Sequence, residues 1–126
     1  METSTEVTPR TLEEILDAFN RHDAHAVMSF FADDCVFETP KGPDPCGRRL
    51  VGKEQVREGV AARFAGIPDV HYGEATHVVC GNRGVSEWTL TGTTTEGDRL
   101  EFRGCDRWTF HDGHVVRKDS YWKMVE

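Results

Sequence analysis

No apolar run in the chain approaches the ~20 residues that a membrane-spanning helix requires. The first ten residues, METSTEVTPR, lack the apolar stretch of a secretory signal, so the expected compartment is the cytoplasm. Proline is scarce, at five, and no repeat or low-complexity stretch occurs, which excludes collagen-like and disordered classes. Basic residues are the minority: 15 Lys and Arg stand against 22 Asp and Glu, for a net charge of −7. That balance argues against a nucleic-acid partner, whose affinity rests on a basic surface. The four cysteines, Cys35, Cys46, Cys80 and Cys105, contain no CxxC pair and read as free thiols. The six histidines are scattered. Between His22 and His25, Asp23 reads as a helix start, and His71 and His77 lie about 20 Å apart along an extended strand. No metal site and no organic cofactor is expected.

At 126 residues the chain is one domain by length, expected over 11–126 behind a flexible N-terminus of residues 1–10. Its first half reads as helical. Thr11-Leu12-Glu13-Glu14 fits a capping box ahead of a stripe of Leu12, Ile15, Leu16 and Phe19. Asp23 can cap a second helix carrying Ala24, Val27, Met28 and Phe31 on one face. Cys35–Thr39 is a short strand, and the Pro- and Gly-rich stretch Pro40–Gly52 is a loop. Val56, Val60, Phe64 and Ile67 mark a third helix that Pro68 stops. Four strands follow, Val70–Cys80, Arg83–Thr95, Arg99–His111 and His114–Val125, joined by short turns into an antiparallel meander. Three helices ahead of such a sheet make an α+β domain with the helices covering one face of a curved sheet and enclosing a pocket.

The last two strands permit an argument about register. From Leu100 to Phe110 the even positions form the core face, and Asp106 is its only charge. A two-residue loop at Asp112-Gly113 would oppose Asp106 to Asp119, an unfavourable like-charge pair. A three-residue loop from His111 to Gly113 opposes Asp106 to Lys118, Trp108 to Val116 and Phe102 to Trp122, and is the expected register. For the preceding hairpin a two-residue loop at Glu96-Gly97 sets Glu87 opposite Asp106, whereas a three-residue loop turns Trp88 to that face. The first is preferred, and with it Glu87, Asp106 and Lys118 lie side by side facing inward. That arrangement leaves Trp88, Leu90, Cys105, Val115 and Tyr121 on the outer face among charges, a surface suited to a homodimer.

The segments FNRHDAHAVMSFFADDCVFETP, GRRLVGKEQVREGV, VSEWTLTGTTTEG and FRGCDRWTFHDGHVVRKDSYW resemble the nuclear-transport-factor-two-like superfamily, and within it the SnoaL-like group that includes polyketide cyclases. The resemblance runs from about Leu12 to Trp122. It implies a cone-shaped α+β barrel, a curved antiparallel sheet wrapped around three helices, with an apolar cavity and often a homodimer. Of the residues that ketosteroid isomerases use, the strand Asp base corresponds to Thr39, the helix Tyr to Ile15, and the protonated Asp to Asp106, so one of three survives. The last-strand Asp of polyketide cyclases and limonene-type epoxide hydrolases corresponds to Ser120, and the hydrolases' Arg-x-Asp pair to Glu87 and Thr89.

Two functions remain open on these residues. One is a cofactor-independent lyase, isomerase or cyclase acting on a small apolar carbonyl compound. Asp106 or Glu87 would be its base, Lys118 would stabilise developing negative charge, and Thr39, Thr89 and Ser120 would orient the substrate. The other is a non-catalytic module that binds a small molecule or dimerises. In either case the pocket wall is expected to draw on Ile15, Phe19, Phe37, Phe64, Phe102, Trp108 and Trp122.

Overall fold

The computed structural model describes residues 6–126. Helix α1, Pro9–Asn20, begins one turn earlier than its capping-box reading. Proline at its first position suits an orphan N–H site, and the Thr8 N–H donates to Thr11 Oγ1 at 3.1 Å, so Thr11 closes a cap that Thr8 opens. Part of the stretch expected to be a flexible tail is therefore built into the fold, with Val7 buried; residues 1–5 lie outside the described residues. Helix α2, Ala24–Met28, is capped as expected by Asp23, whose carboxylate accepts from the Ala26 N–H at 2.9 Å.

Strand β1, Phe31–Glu38, starts four residues before its expected position, because Phe31 opens a strand rather than finishing a helix face. A short strand β2, Arg49–Val51, lies within the stretch read as loop. Helix α3, Lys53–Gly66, precedes the four-strand meander of β3 (His71–Cys80), β4 (Arg83–Thr93), β5 (Arg99–His111) and β6 (His114–Trp122). The sheet order is β2-β1-β6-β5-β4-β3. β1 pairs with β6 in parallel, so the sheet is mixed rather than wholly antiparallel, and it is not closed into a barrel. The helices cover its inner face, giving the α+β cone. Leu12, Ile15 and Phe19 from α1, Val27 and Met28 from α2, and Val56 and Val60 from α3 bury against Phe37, Leu90, Trp108 and Phe110. Each such side chain contributes roughly 1.5–3 kcal/mol on burial.

Both hairpin registers differ from expectation. Asp112 and Gly113 have φ of 49° and 77°, the pair of left-handed residues that a two-residue type I′ turn needs. The ladder starts as His111 opposite His114 and Phe110 opposite Val115, then shifts by one residue at a bulge. Beyond the bulge Trp108 faces Lys118 and Asp106 faces Ser120. The bulge thus removes the Asp106–Asp119 clash that argued against a two-residue loop. Because the result differs from the expected pairing by two residues, Asp106 and Lys118 keep their inward face. In the preceding hairpin the Thr94–Asp98 pair closes a three-residue loop: each N–H finds a partner on the other residue, at 2.9 and 3.0 Å. Ser86 then faces Asp106 and Trp88 faces Gly104. Glu87 and Thr89 turn to the outer face, so neither belongs to the inward cluster; Glu87 is exposed and accepts a long 3.4 Å hydrogen bond from Thr76 Oγ1. Trp88, Leu90 and Val115 are buried, leaving Cys105 and Tyr121 as what remains of the expected outer apolar surface.

Candidate functional site

The inner face of β5 and β6 carries one charged cluster. Asp106 and Lys118 are almost fully buried, at 1% and 5% exposure. The Lys118 ammonium donates to Asp106 Oδ1 at 2.8 Å and to Ser120 Oγ at 2.6 Å, and the Ser120 hydroxyl donates to the same Asp106 oxygen at 2.5 Å. Trp88 Nε1–H donates to Asp106 Oδ2 at 3.0 Å. Every oxygen of the carboxylate is therefore in use, as a buried charge requires. An ammonium has three N–H groups, and Lys118 spends two of them on Asp106 and Ser120. It sits 4.3 Å from the Phe37 ring centroid, 5.3 Å from Phe19 and 5.6 Å from Trp108, within cation–π range of all three. Burial pushes the Lys118 pKa down, while the charge and hydrogen bond of Asp106 pull it back; the balance lies below the ordinary lysine value.

Above this cluster lies a small cavity of about 10 Å³, room for at most one water. Lys118 and Ser120 form its polar wall; Asp106 lies behind them. The apolar wall includes Phe19, Phe37, Tyr72, Trp88 and Trp122, and the Arg63 guanidinium also borders the cavity. Burial raises the Tyr72 phenol to about 12, so it stays a neutral hydroxyl. Arg63 lays its guanidinium 4.3 Å over the Trp122 ring, and Trp122 in turn packs on Phe102 at 4.6 Å.

Several expected pocket residues sit elsewhere. Ile15 is in the core, and Trp108 lies deeper, donating its Nε1–H to Ser86 Oγ at 3.1 Å. Phe64 packs on Phe19 and His22 at the rim. Thr39 serves its own loop, donating to the Lys41 carbonyl at 2.9 Å and accepting from the Arg48 N–H at 3.0 Å. Thr89 lines an outer groove. Sequence reasoning missed Tyr72, Trp88 and Arg63. Trp88 follows from the three-residue alternative for the β4–β5 loop, and Tyr72 shares strand parity with buried Val70. Nothing local marks Arg63, which lies in the last turn of α3.

A second charged group lies on the outer face. Glu38 is buried beneath Arg49, whose Nη2 donates at 2.8 Å, and Arg117, whose Nε donates at 2.6 Å. Burial works to raise the Glu38 pKa, but these hydrogen bonds outweigh it and hold the carboxyl below its ordinary value. Tyr121 extends the network by donating to Asp119 at 3.0 Å. Among the described residues no group of three or more His, Cys, Asp and Glu side chains converges as metal ligands would. No helix among them is long and apolar enough to cross a membrane.

The sequence profile described as a SnoaL-like domain matches residues 12–118. The chain belongs to the SnoaL-like domain family. Comparison with curated proteins finds no match. Among solved structures this SnoaL-like chain is similar to a candidate polyketide cyclase from Pseudomonas putida KT2440, with a TM-score of 0.83, 16% identity, and coverage of 98% of this chain and 94% of that one. It is similar to a candidate isomerase from Bacillus subtilis, with a TM-score of 0.76, 19% identity and coverage of 90% and 84%. An NTF2-like protein of unknown function from Burkholderia pseudomallei K96243 gives a TM-score of 0.78, 21% identity and coverage of 90% and 88%. At these identities the likeness establishes the shared NTF2-like fold of the SnoaL-like domain.

Proposed function

We propose that this SnoaL-like protein is a cofactor-independent isomerase or cyclase that enolises a small apolar carbonyl compound. The observation that carries the reading is the third N–H of Lys118, left over at the polar end of an aromatic-walled cavity. Donated to a substrate carbonyl oxygen, it stabilises the negative charge of a forming enolate in a site that excludes water. Ser120 touches the cavity and Asp106 does not, so Asp106 acts as base through Ser120. The α-carbon's C–H bond breaks and its proton goes to Ser120 Oγ. The hydroxyl's own proton passes to Asp106 Oδ1, and the C–H electron pair becomes the enolate held by Lys118. Return of the proton to a different carbon isomerises the substrate, and attack of the enolate on a second carbonyl cyclises it. Glu87, turned to the other face, takes no part. Neighbours named as a cyclase and an isomerase agree with this chemistry.

One observation favours a second reading, a non-catalytic binding or dimerisation module: a cavity of about 10 Å³ holds no substrate until Trp122 or Arg63 moves. A native mass-spectrometry screen of apolar ketones, followed by NMR of α-hydrogen exchange in D₂O, separates the two. Exchange accelerated by the protein and by Glu87→Gln, but abolished in Asp106→Asn and Lys118→Met, supports the enzyme. Ketones that bind without exchange leave the module. The proposed assembly is a cytoplasmic homodimer through the outer sheet face, where Cys105 and Tyr121 lie among Arg103 and Arg107. A light-scattering mass of one chain at micromolar concentration refutes the dimer.

A further inference from the structure

Two cations border the closed cavity, Lys118 and Arg63, and one carboxylate, Asp106, answers them. Asp106 is committed to Lys118 at 2.8 Å. Arg63 forms no ion pair and no side-chain hydrogen bond among the described residues; its guanidinium rests on the Trp122 ring alone. On the outer face Arg49 and Arg117 are both spent on Glu38. Arg48, Arg57, Arg83 and Arg103 share with Arg63 the lack of an ion pair among the described residues, but of these only Arg63 borders the cavity, where its planar fork presents its donors. Its place in the last turn of α3 suits the negative end of the helix, but a lysine would serve that role equally without a planar fork over the Trp122 ring.

Arg63 also borders an outer groove that runs along α3 past Leu50 and Gly59. It therefore stands between that groove and the cavity, with the indole of Trp122 beside it. Its charge reaches the interior, lowering the affinity of both Lys118 and Tyr72 for a proton. A neutral ketone answers Lys118 and leaves the excess positive charge where it was. A ligand that also carries a carboxylate removes it, with the apolar body lying between Phe19, Phe37 and Trp122.

We infer that the substrate is an apolar keto acid whose carboxylate is gripped by Arg63 at the mouth while its carbonyl oxygen meets Lys118. This rests on the enolising site proposed above and names its substrate class. Arg63 is then a specificity-determining residue, and forming the carboxylate contact draws the guanidinium off Trp122, which opens the cavity.

The test uses 4-oxo-4-phenylbutanoate and its neutral amide, 4-oxo-4-phenylbutanamide, as probes, with affinities read by titration calorimetry on the full chain. A charge-assisted bidentate contact is worth about tenfold or more in affinity, so the acid should bind the native protein at least about tenfold tighter than the amide. Arg63→Gln should bring that ratio near one, and Arg63→Lys, which keeps the charge without the fork, should fall between. Equal binding of acid and amide by the native protein overturns the keto-acid inference and leaves the enolising pocket standing. A ratio unchanged in Arg63→Gln overturns it as well. Failure of both probes to bind overturns it too, and the D₂O exchange experiment with neutral ketones then decides separately whether the pocket reading falls with it.

Discussion

Replacing Asp106 by alanine removes the ion-pair partner of a buried ammonium and the acceptor of two further donors, Ser120 Oγ–H and Trp88 Nε1–H. Breaking a buried ion pair from one side costs about 3–5 kcal/mol. Small domains are stable by about 5–15 kcal/mol, so Asp106→Ala should fold, with its urea midpoint lowered by roughly 2 M for an m-value of ~2 kcal/mol/M. The loss should depend on pH. Because burial lowers the Lys118 pKa in the fold, the unfolded chain holds more protons between the folded value and 10.5, and stability rises with pH there. Asp106 supplies two influences that raise the folded value. Without it that value drops, the window widens downward, and more stability is regained on going alkaline. The deficit of Asp106→Ala should therefore be largest near neutral pH and shrink toward pH 10. Adding Lys118→Met should recover most of it by removing the stranded charge. Urea melts followed by tryptophan fluorescence across pH 6–10 measure all of this. An Asp106→Ala protein within about 1 kcal/mol of the native one, or a double variant no more stable than the single, would refute the reasoning.

Glu38→Gln should destabilise at neutral pH. Because the Glu38 carboxyl titrates below its ordinary 4.5, its contribution is present above that value and lost as pH falls through the lower folded one. Acid melts of variant and native protein should accordingly converge. Gly104→Ala should cost about 1–3 kcal/mol by overpacking, since the added Cβ would stand 2.6 Å from the Tyr121 carbonyl oxygen and 2.7 Å from the Trp88 ring; a shifted tryptophan emission would report the displaced indole.

The α+β order of elements was legible because it rests on local patterns: the Leu12–Phe19 stripe, the Asp23 cap, the Pro68 stop and the turn signals of the meander. The strand β2 was not, since three residues that alternate exposed, half-buried and exposed carry no periodic signal. Nor was the parallel pairing of β1 with β6, which depends on bringing together parts of the chain far apart in sequence. Register was legible only in parity. The charge argument correctly rejected an Asp106–Asp119 pair but chose a longer loop to avoid it, while the chain keeps the I′ turn that Asp112-Gly113 encodes and inserts a bulge instead. Either device places Asp106 and Lys118 on one face.

That outcome explains which half of the site could be read in advance. A charge on an otherwise apolar strand face must find a partner on the same face, because desolvation makes the unpaired state costly. The strength of that demand does not depend on which of two neighbouring positions supplies the partner. The Asp106–Lys118 ion pair was therefore predictable even though the pairing that would set them directly opposite does not occur. For Glu87 no such demand existed: with the hairpin one residue longer its carboxylate reaches water, and Trp88 takes the inward place with an indole N–H that Asp106 can satisfy. The aromatic and cationic mouth had no demand of its own either. Arg63 is tolerated anywhere near solvent, so only its position over Trp122, beside a lysine whose carboxylate is already spoken for, gives it meaning. Pairing requirements fix the floor of this cavity, and the identity of what enters is written at its rim, where folding leaves the charge unanswered.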